Sequence, residues 1–173
     1  SGKSFHIKSI SSYLKKKRLS HILLREPGGS FNAEKIRKLI LNKNSNFNQY
    51  TDLLLYLAAR SENIEKIIKK NYKKKIILID RFVDSTMAYQ GFGMNIDKKL
   101  ISYINRLLLN NIKKNFTFLN IVNNKNLLSR LSKRKKLNRY DKFKTSFYNK
   151  VQKGFIKLSK KNKNKYFVVD SNK

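Results

Sequence analysis

The feature that most constrains the fold is a short apolar run that ends in two charged residues. Residues 76–79, IILI, are followed directly by Asp80 and Arg81. Such a run is typical of a parallel strand buried on both faces, and groups just past its carboxyl end face a ligand crevice. A carboxylate there can hold Mg²⁺, directly or through water, and a guanidinium can bind a phosphate with two hydrogen bonds. Phosphoryl transfer needs both groups, so the pattern indicates a site for a phosphorylated ligand.

The first four residues match the end of a phosphate-binding loop. Ser1-Gly2-Lys3-Ser4 fits the tail of the pattern G-x-x-x-x-G-K-[ST]. In that loop backbone amides surround the β-phosphate, the lysine bridges the β- and γ-phosphates, and the last hydroxyl ligates Mg²⁺. Ser1 or Ser4 could equally cap a helix. The start of the pattern and its strand would precede Ser1, so we expect the gene to encode about ten or more residues ahead of it.

The net charge of +31 comes from 41 basic and 10 acidic residues. Such an excess often indicates nucleic-acid binding, because lysine and arginine neutralise phosphates and release counterions. Lys, Asn and Ile, whose codons are rich in A and T, supply 70 of the 173 residues, so a bias in genome composition also explains it. Aromatic residues are not interleaved with the basic ones as stacking would require. We expect no specific nucleic-acid partner, and a basic nucleic-acid-binding protein is the alternative.

Length and composition indicate a single domain, because 173 residues can form one core of a sheet with flanking helices. The absence of cysteine excludes disulfides and thiolate metal sites, and the reducing cytoplasm is the expected setting. No segment approaches the ~18 consecutive apolar residues of a membrane span, and the N-terminus has no signal-peptide core, so we expect no membrane partner.

Helical and strand patterns alternate along the chain, which predicts βαβ crossovers and an α/β fold with a parallel sheet between two helix layers. In the first two helices the predicted inward residues are Phe5, Ile10, Tyr13 and Leu14, then Ala33, Ile36, Leu39 and Ile40. The predicted strands are 21–24, 76–80, 116–122 and 166–169; the predicted helices are 3–18, 31–41, 50–70, 97–114, 126–133 and 143–160, with a short helix and turn at 85–93.

Four motifs, in this order and spacing, resemble the thymidylate kinase (dTMP kinase) family. That family has a G-K-[ST] loop, R-E-P-G-G-[TS], an aromatic residue four positions before the arginine of A-x-R, and D-R-x-x-x-S-[ST]-x-A-Y-Q-G. The matching segments are 2–4 (GKS), 25–30 (REPGGS), 54–60 (LLYLAAR) and 80–91 (DRFVDSTMAYQG). The resemblance covers nearly the whole chain. It implies a P-loop nucleoside-monophosphate-kinase-like α/β/α fold whose first, central strand is absent from this chain.

The resemblance also implies an activity, which is transfer of the γ-phosphoryl group of ATP to dTMP with Mg²⁺. In that reading Ser1, Gly2, Lys3 and Ser4 bind the phosphates of ATP. Ser4 and Asp80 hold the Mg²⁺.

On the acceptor side, the resemblance implies that Arg81 holds the phosphate of dTMP and that Tyr56 stacks on thymine while Arg60 reaches a base carbonyl. The family more often has phenylalanine at the position of Tyr56. Thr86 would lie beside the base edge, and the Tyr89 ring would exclude a 2′-hydroxyl. The remaining acceptor residues would be Arg25, Pro27, Ser85 and Gln90. The structural alternatives are core packing for Tyr56 and Tyr89, a helix cap for Ser85 and an ion pair with Glu26 for Arg25.

Residues 133–141 resemble the lid of the bacterial members. Arg130 and Arg134 would contact ATP, and Arg134 or Arg139 would neutralise charge on the transferred phosphoryl group. A solvated run of charges is the alternative. The family pattern D-R-[IYF]-E becomes residues 138–141, NRYD, which weakens the ion pairing expected of the lid.

A deoxynucleoside kinase and an inactive fragment are further alternatives. A deoxynucleoside kinase would need a carboxylate near the acceptor 5′-hydroxyl, and an inactive fragment would result if the loop and strand before Ser1 are truly lacking. Family members commonly form homodimers through a long apolar helix such as the one containing residues 53–68, so we expect a homodimer.

Overall fold

The computed structural model describes residues 3–123, 126, 129 and 138–172. The described residues contain four strands in two parallel pairs, β1 with β2 and β3 with β4. His21 lies opposite Ile76 in the first pair, and Thr117 lies opposite Tyr166 in the second. Each strand begins and ends within one residue of its predicted bounds. The strands are β1 His21–Arg25, β2 Ile76–Asp80, β3 Thr117–Ile121 and β4 Tyr166–Asp170.

Helices connect and cover these strands, which confirms the α/β class. Two of them continue into wider π-helical segments, Ile64–Ile68 and Met87–Gly93. Two short 3₁₀ turns, Arg139–Lys142 and Lys163–Lys165, flank the last helix. The helices are α1 Lys3–Lys16, α2 Phe31–Leu41, α3 Gln49–Asn63, α4 Lys69–Asn71, α5 Val83–Thr86, α6 Lys98–Leu109 and α7 Thr145–Lys161.

Side-chain caps determine where three of these helices begin. The Ser30 hydroxyl accepts a hydrogen bond from the amide of Ala33 at the start of α2. The Asn48 side chain accepts from the first amides of α3, and Asp97 accepts from an amide of α6. These bonds satisfy amide groups that have no partner within the helix.

The core lies where α2, α3, α6 and α7 pack around the Met87–Gly93 segment. Burial in these clusters explains why apolar periodicity predicts the position of α3 and of the π-helical segment that continues it, since Leu53, Leu57, Ile64 and Ile68 are all buried. The buried residues of the three clusters are Ile40, Ala88, Tyr140, Phe147 and Val151; Leu53, Leu57, Ile96 and Ile101; and Leu24, Ile64 and Ile68.

Three predicted inward residues are exposed: Phe5 by 72%, Tyr13 by 58% and Leu39 by 52%. Helical geometry, at about 100° per residue, gives the reason. Leu14 is buried, and Phe5 lies about 180° from it around α1 while Tyr13 lies about 100° away. Leu39 is displaced by the same angle from the buried Ile40. The inward faces are therefore narrower than predicted.

Helix α6 ends at Leu109, five residues before its predicted end, because Asn110 adopts a positive φ of 48° that helical backbone does not allow. The predicted helix 126–133 lies largely outside the described residues. No helix of the described part of the chain is long and apolar enough to cross a membrane.

Strands β2 and β3 face a shared cavity of about 1430 Å³, which every residue of both strands lines. Their other edges are occupied by β1 and β4. The four described strands therefore form two pairs with open space between their inner members.

Candidate functional site

The same cavity brings together residues that are far apart in the chain. Lys3, Asp80 and Arg81 all line it, although 76 residues lie between Lys3 and Asp80. Ser4 lies beside Lys3 in the first turn of α1. Ser1 and Gly2 lie outside the described residues. All the predicted acceptor residues line this cavity as well: Arg25, Pro27, Tyr56, Arg60, Arg81, Ser85, Thr86, Tyr89 and Gln90.

The ends of β1 and β2 place the charged residues at one edge. Because the strands are parallel and in register, Arg25 lies opposite Asp80 at their carboxyl ends. The next residue, Arg81, has a left-handed backbone with φ of 67°, which is uncommon outside glycine and turns the chain sharply. Its guanidinium carbon lies 5.0 Å from the centre of the Tyr89 ring. The nearby Tyr89 hydroxyl raises the pKa of Arg81, so this arginine stays charged.

Three tyrosines form one wall of the site. The Tyr140 ring meets the Tyr56 ring edge to face at 6.1 Å and the Tyr89 ring at 6.0 Å. Burial raises the pKa of the Tyr56 hydroxyl, which keeps it neutral and able to donate a hydrogen bond. Tyr56 and Tyr89 both line the cavity, so their predicted packing role and their predicted ligand role are compatible.

Arg60 is buried in an ion pair that sequence analysis did not predict. Its side chain is 2% exposed, and its Nε donates to Glu26 Oε2 at 2.9 Å. Its Nη1 donates to Asn105 Oδ1 at 2.7 Å, which ties α3 to α6. Burial raises the pKa of Glu26 more than the nearby Arg60 lowers it. Nη2 is the nitrogen of Arg60 that these two bonds leave unused.

The loop after β1 is built around two glycines. Gly28 and Gly29 have φ of 110° and 115°, a region that other residues rarely adopt. The amide of Gly29 donates to Glu34 Oε1 at 2.9 Å, and Arg25 forms an ion pair with the same carboxylate at 3.2 Å. The predicted alternative, an ion pair of Arg25 with Glu26, is therefore wrong. Arg25 pairs with Glu34, and Glu26 pairs with Arg60.

Two buried polar atoms on the cavity wall have no hydrogen-bond partner within the described residues. They are Thr86 Oγ1 and Glu26 Oε1, in side chains whose residues are 1% and 3% exposed. Buried polar groups are nearly always satisfied by protein, water or ligand. Thr86 and Glu26 both line the cavity, so a bound molecule is a candidate partner for these two atoms. Ser85 lies inside α5 rather than at its start, so the predicted alternative of a helix cap is wrong.

The last residues of the predicted lid, 138–141, pack beside Tyr56 and Tyr89 through the Tyr140 ring. Arg130 and Arg134 lie outside the described residues. Arg139 is 9% exposed and forms an ion pair with Asp52 of α3. Asn138 and Asp141 cap the short turn at Arg139–Lys142. The Asn138 side chain accepts a hydrogen bond from the amide of Tyr140, and the Asp141 carboxylate accepts one from the amide of Asn138. The departure from the family pattern therefore still gives a well-paired turn.

Sequence analysis missed two residues of this region, Asp52 and Asn105. Asp52 is 0% exposed and precedes Tyr56 by one helical turn. A single carboxylate beside the apolar residues 53–55 is the signal that could have found it. Asn105 carries no such signal, because its role depends on the approach of α6 to Arg60.

The described residues include no group of three or more His, Asp or Glu side chains placed to hold a metal ion. One carboxylate near a phosphate site suits an ion that keeps phosphate and water ligands, as Mg²⁺ usually does. The donor set around Asp80 fits a nucleotide-bound Mg²⁺ better than a metal held by protein alone.

Comparisons with known proteins agree with this geometry. Residues 1–173 match the family model described as Thymidylate kinase. The chain is 39% identical to a thymidylate kinase of Thermosipho africanus (strain TCF52B), covering 100% of this chain and 86% of that protein. It is 36% identical to a thymidylate kinase of Mycoplasma capricolum subsp. capricolum, covering 100% and 83%. The crystal structure of thymidylate kinase from Ehrlichia chaffeensis superposes with a TM-score of 0.79 at 32% identity, covering 98% of this chain and 84% of that one.

Proposed function

We propose that this chain, which belongs to the thymidylate kinase family, transfers the γ-phosphoryl group of ATP to the 5′-phosphate of dTMP and forms dTDP and ADP. It is a nucleoside monophosphate kinase, and ATP is its phosphoryl donor. The observation that carries the proposal is the single cavity lined by Lys3, Asp80, Arg81 and the whole predicted acceptor set. No observation favours the nucleic-acid-binding or deoxynucleoside-kinase alternative.

The reaction needs no protein nucleophile. An oxygen of the dTMP phosphate forms a bond to the γ-phosphorus, and the bond from that phosphorus to the bridging oxygen of ADP breaks. Lys3 would bind the β- and γ-phosphates of ATP, and Arg81 would hold the acceptor phosphate in line with them. The protein acts by alignment and by neutralising charge that develops on the transferred group.

Mg²⁺ would be held by the Ser4 hydroxyl and the Asp80 carboxylate, directly or through water. When bound, it neutralises phosphate charge and fixes the orientation of the β- and γ-phosphates. Asp80 is fixed at the end of β2, where its backbone carbonyl accepts a hydrogen bond from the amide of Glu26 at 3.0 Å.

The acceptor base would lie between Tyr56 and the buried Thr86. A neutral Tyr56 ring offers a stacking surface, and Nη2 of Arg60 is available to a base carbonyl. The Thr86 hydroxyl, without a partner within the described residues, would bond an edge atom of the base. The Tyr89 ring would lie against the deoxyribose and exclude a 2′-hydroxyl by its bulk. The remaining contacts would come from Arg25, Pro27, Ser85 and Gln90.

The lid arginines are assigned by sequence resemblance. Arg139 is paired with Asp52, and it could reach ATP only after leaving that pair. We therefore propose that Arg134 neutralises the charge on the transferred phosphoryl group. Arg130 and Arg134 would contact ATP.

Two further properties belong to this proposal. We propose a cytoplasmic enzyme, which suits a chain without cysteine. We also propose a homodimer that uses α3, but through different residues from those expected. Leu53 and Leu57 are buried in the chain's own core, whereas Tyr50 and Leu54 of the same helix are 52% and 60% exposed. Sedimentation of Leu54→Lys against the unmodified chain tests the dimer.

Substrate profiling tests the activity. Phosphorylation of dTMP, dUMP, dCMP and thymidine is measured with ATP and Mg²⁺, in this chain and in one extended at its N-terminus by a strand and a complete phosphate loop. We expect dTMP to be the preferred acceptor, and activity on thymidine alone would reject the proposal.

A second assay tests the nucleic-acid alternative. Binding to DNA and RNA is measured at rising salt, and we expect it to be lost by about 200 mM because it is a non-specific charge effect. Sequence-dependent retention above that concentration would favour a nucleic-acid-binding protein instead.

A further inference from the structure

The carboxylate of Asp52 is completely buried and is surrounded by three donor groups, two that hydrogen-bond it and one that pairs with it as a counterion. Its Oδ2 accepts from the Tyr140 hydroxyl at 2.5 Å and from Gln90 Nε2 at 2.9 Å. Its Oδ1 forms an ion pair with Nη2 of Arg139. A buried carboxylate is costly unless it is paired and hydrogen-bonded, so these contacts depend on one another.

The three donors come from two separate parts of the chain. Arg139 and Tyr140 belong to the short turn at Arg139–Lys142, and Gln90 belongs to the Met87–Gly93 segment. Asp52 itself lies on α3. One carboxylate therefore holds together three elements, and two of them, α3 and Met87–Gly93, carry proposed acceptor residues.

Tyr140 transmits this connection to the nucleotide pocket. Its hydroxyl bonds Asp52, and its ring packs edge to face on both Tyr56 and Tyr89. Burial raises the pKa of Tyr140, so its hydroxyl stays protonated and donates to the carboxylate. The backbone of Tyr140 is fixed as well, because its carbonyl accepts from the Tyr148 hydroxyl at 2.7 Å. Neither the ring nor the hydroxyl can move without breaking one of these contacts.

We propose that Asp52 is a positioning residue for the acceptor pocket. Its carboxylate fixes Tyr140 and Gln90, and through the Tyr140 ring it sets the spacing between Tyr56 and Tyr89, where the base and sugar of a nucleoside monophosphate are to bind. This inference rests on the proposed function. Asp52 acts through these neighbours and not by contact with the nucleotide.

The chemistry of the cluster gives a sharp substitution. All three groups around Asp52 are donors, and a carboxylate is the side chain that only accepts. Asp52→Asn keeps the shape but turns one acceptor into a donor that faces another donor, and it leaves Arg139 buried without its counterion. Tyr140→Phe is milder, because it keeps the ring and the ion pair and removes a single hydrogen bond.

The test compares these variants in the full chain by calorimetric titration with dTMP and by thermal unfolding. We expect Asp52→Asn to weaken dTMP binding about tenfold, as loss of a buried charged hydrogen bond does, and Tyr140→Phe to weaken it less. Ile64→Val is the matched control, because it removes one methylene from a buried cluster that includes no residue of 87–93 or 139–142. It should lower the unfolding temperature and leave dTMP affinity unchanged.

Hydrogen exchange gives a second readout that needs no ligand. Asp52→Asn should speed exchange of the backbone amides in 139–142 and 87–93, while Ile64→Val should not. Unchanged exchange in Asp52→Asn would overturn the inference, whatever happens to dTMP affinity.

Tyr56→Ala separates failure of this inference from failure of the proposed function. If Tyr56→Ala weakens dTMP binding while Asp52→Asn and Tyr140→Phe bind normally, the positioning role is wrong and the pocket assignment stands. If Tyr56→Ala binds dTMP normally, the pocket assignment is wrong, and exchange in 139–142 still decides whether Asp52 holds that turn.

Discussion

The buried pair of Arg60 and Glu26 gives the largest predicted effect on stability. Replacing Arg60 by methionine keeps most of the volume but leaves the Glu26 carboxylate 3% exposed and without its counterion. Breaking a buried pair in this way costs about 3–5 kcal/mol. At about 2–4 °C per kcal/mol for a chain of this size, the unfolding temperature should fall by roughly 6–20 °C.

The double variant Glu26→Gln with Arg60→Met isolates the uncompensated charge. It removes both charges, so the remaining cost is the hydrogen bond that Asn105 loses, about 1–3 kcal/mol. Urea unfolding of the two single variants and the double variant measures the coupling between the residues. Lys69→Met is the control, because the Lys69–Glu65 pair is 47% and 56% exposed and should contribute less than about 1 kcal/mol. A double variant no more stable than Arg60→Met would refute the reasoning.

Three further predictions concern the same region. Gly29→Ala should lower the free energy of unfolding by about 1–3 kcal/mol, because φ of Gly29 is 115° and the added Cβ would lie 2.3 Å from Leu24 Cδ1. Gly91→Ala is the control and should cost less in a thermal melt, because Gly91 has no positive φ. Equal losses in the two variants would contradict this. Burial raises the pKa of Glu26 above its ordinary value of 4.5, so just above pH 4.5 the folded state binds more protons than the unfolded state. The free energy of unfolding should therefore fall as pH rises from 4.5 towards the folded-state pKa. A pH series in which Glu26→Gln has the same slope as the unmodified chain would exclude Glu26 as the cause. Thr86→Val should leave stability unchanged or higher, because the buried hydroxyl has no partner within the described residues, and should weaken dTMP binding in a titration; unchanged affinity would show that the hydroxyl does not contact the nucleotide.

Local signals in the sequence predict most of the elements. Helix α2 occupies its predicted bounds, because Pro27 and two glycines end the preceding strand and Ser30 caps the helix. Where no local signal marks a boundary, the prediction fails. The end of α6 depends on the single positive φ of Asn110, and apolar periodicity continues past it to Ile112.

The motifs of the site also predict which residues meet, but not which partners they choose. Residues of α3 four positions apart share a face, so Tyr56 and Arg60 are placed correctly in one cavity. Pairing of Arg60 with Glu26 depends on how the loop that follows β1 approaches α3. Pairing of Arg60 with Asn105 depends on how α6 approaches α3. Spacing within one helix does not carry that information. The same holds for Arg139, whose partner Asp52 is 87 residues away.

The acidic residues explain how a chain of charge +31 can still build a specific site. Nine of its ten carboxylates accept a hydrogen bond from a protein group: Glu26, Glu34, Asp52, Glu62, Glu65, Asp84, Asp97, Asp141 and Asp170. The tenth, Asp80, has no side-chain hydrogen bond or ion pair within the described residues, and it lines the cavity. The few acids of the chain are therefore almost all used in hydrogen bonds within the described residues. Asp80 lies at the end of a parallel strand and beside Arg81, and it is the carboxylate that we propose for a nucleotide-bound Mg²⁺.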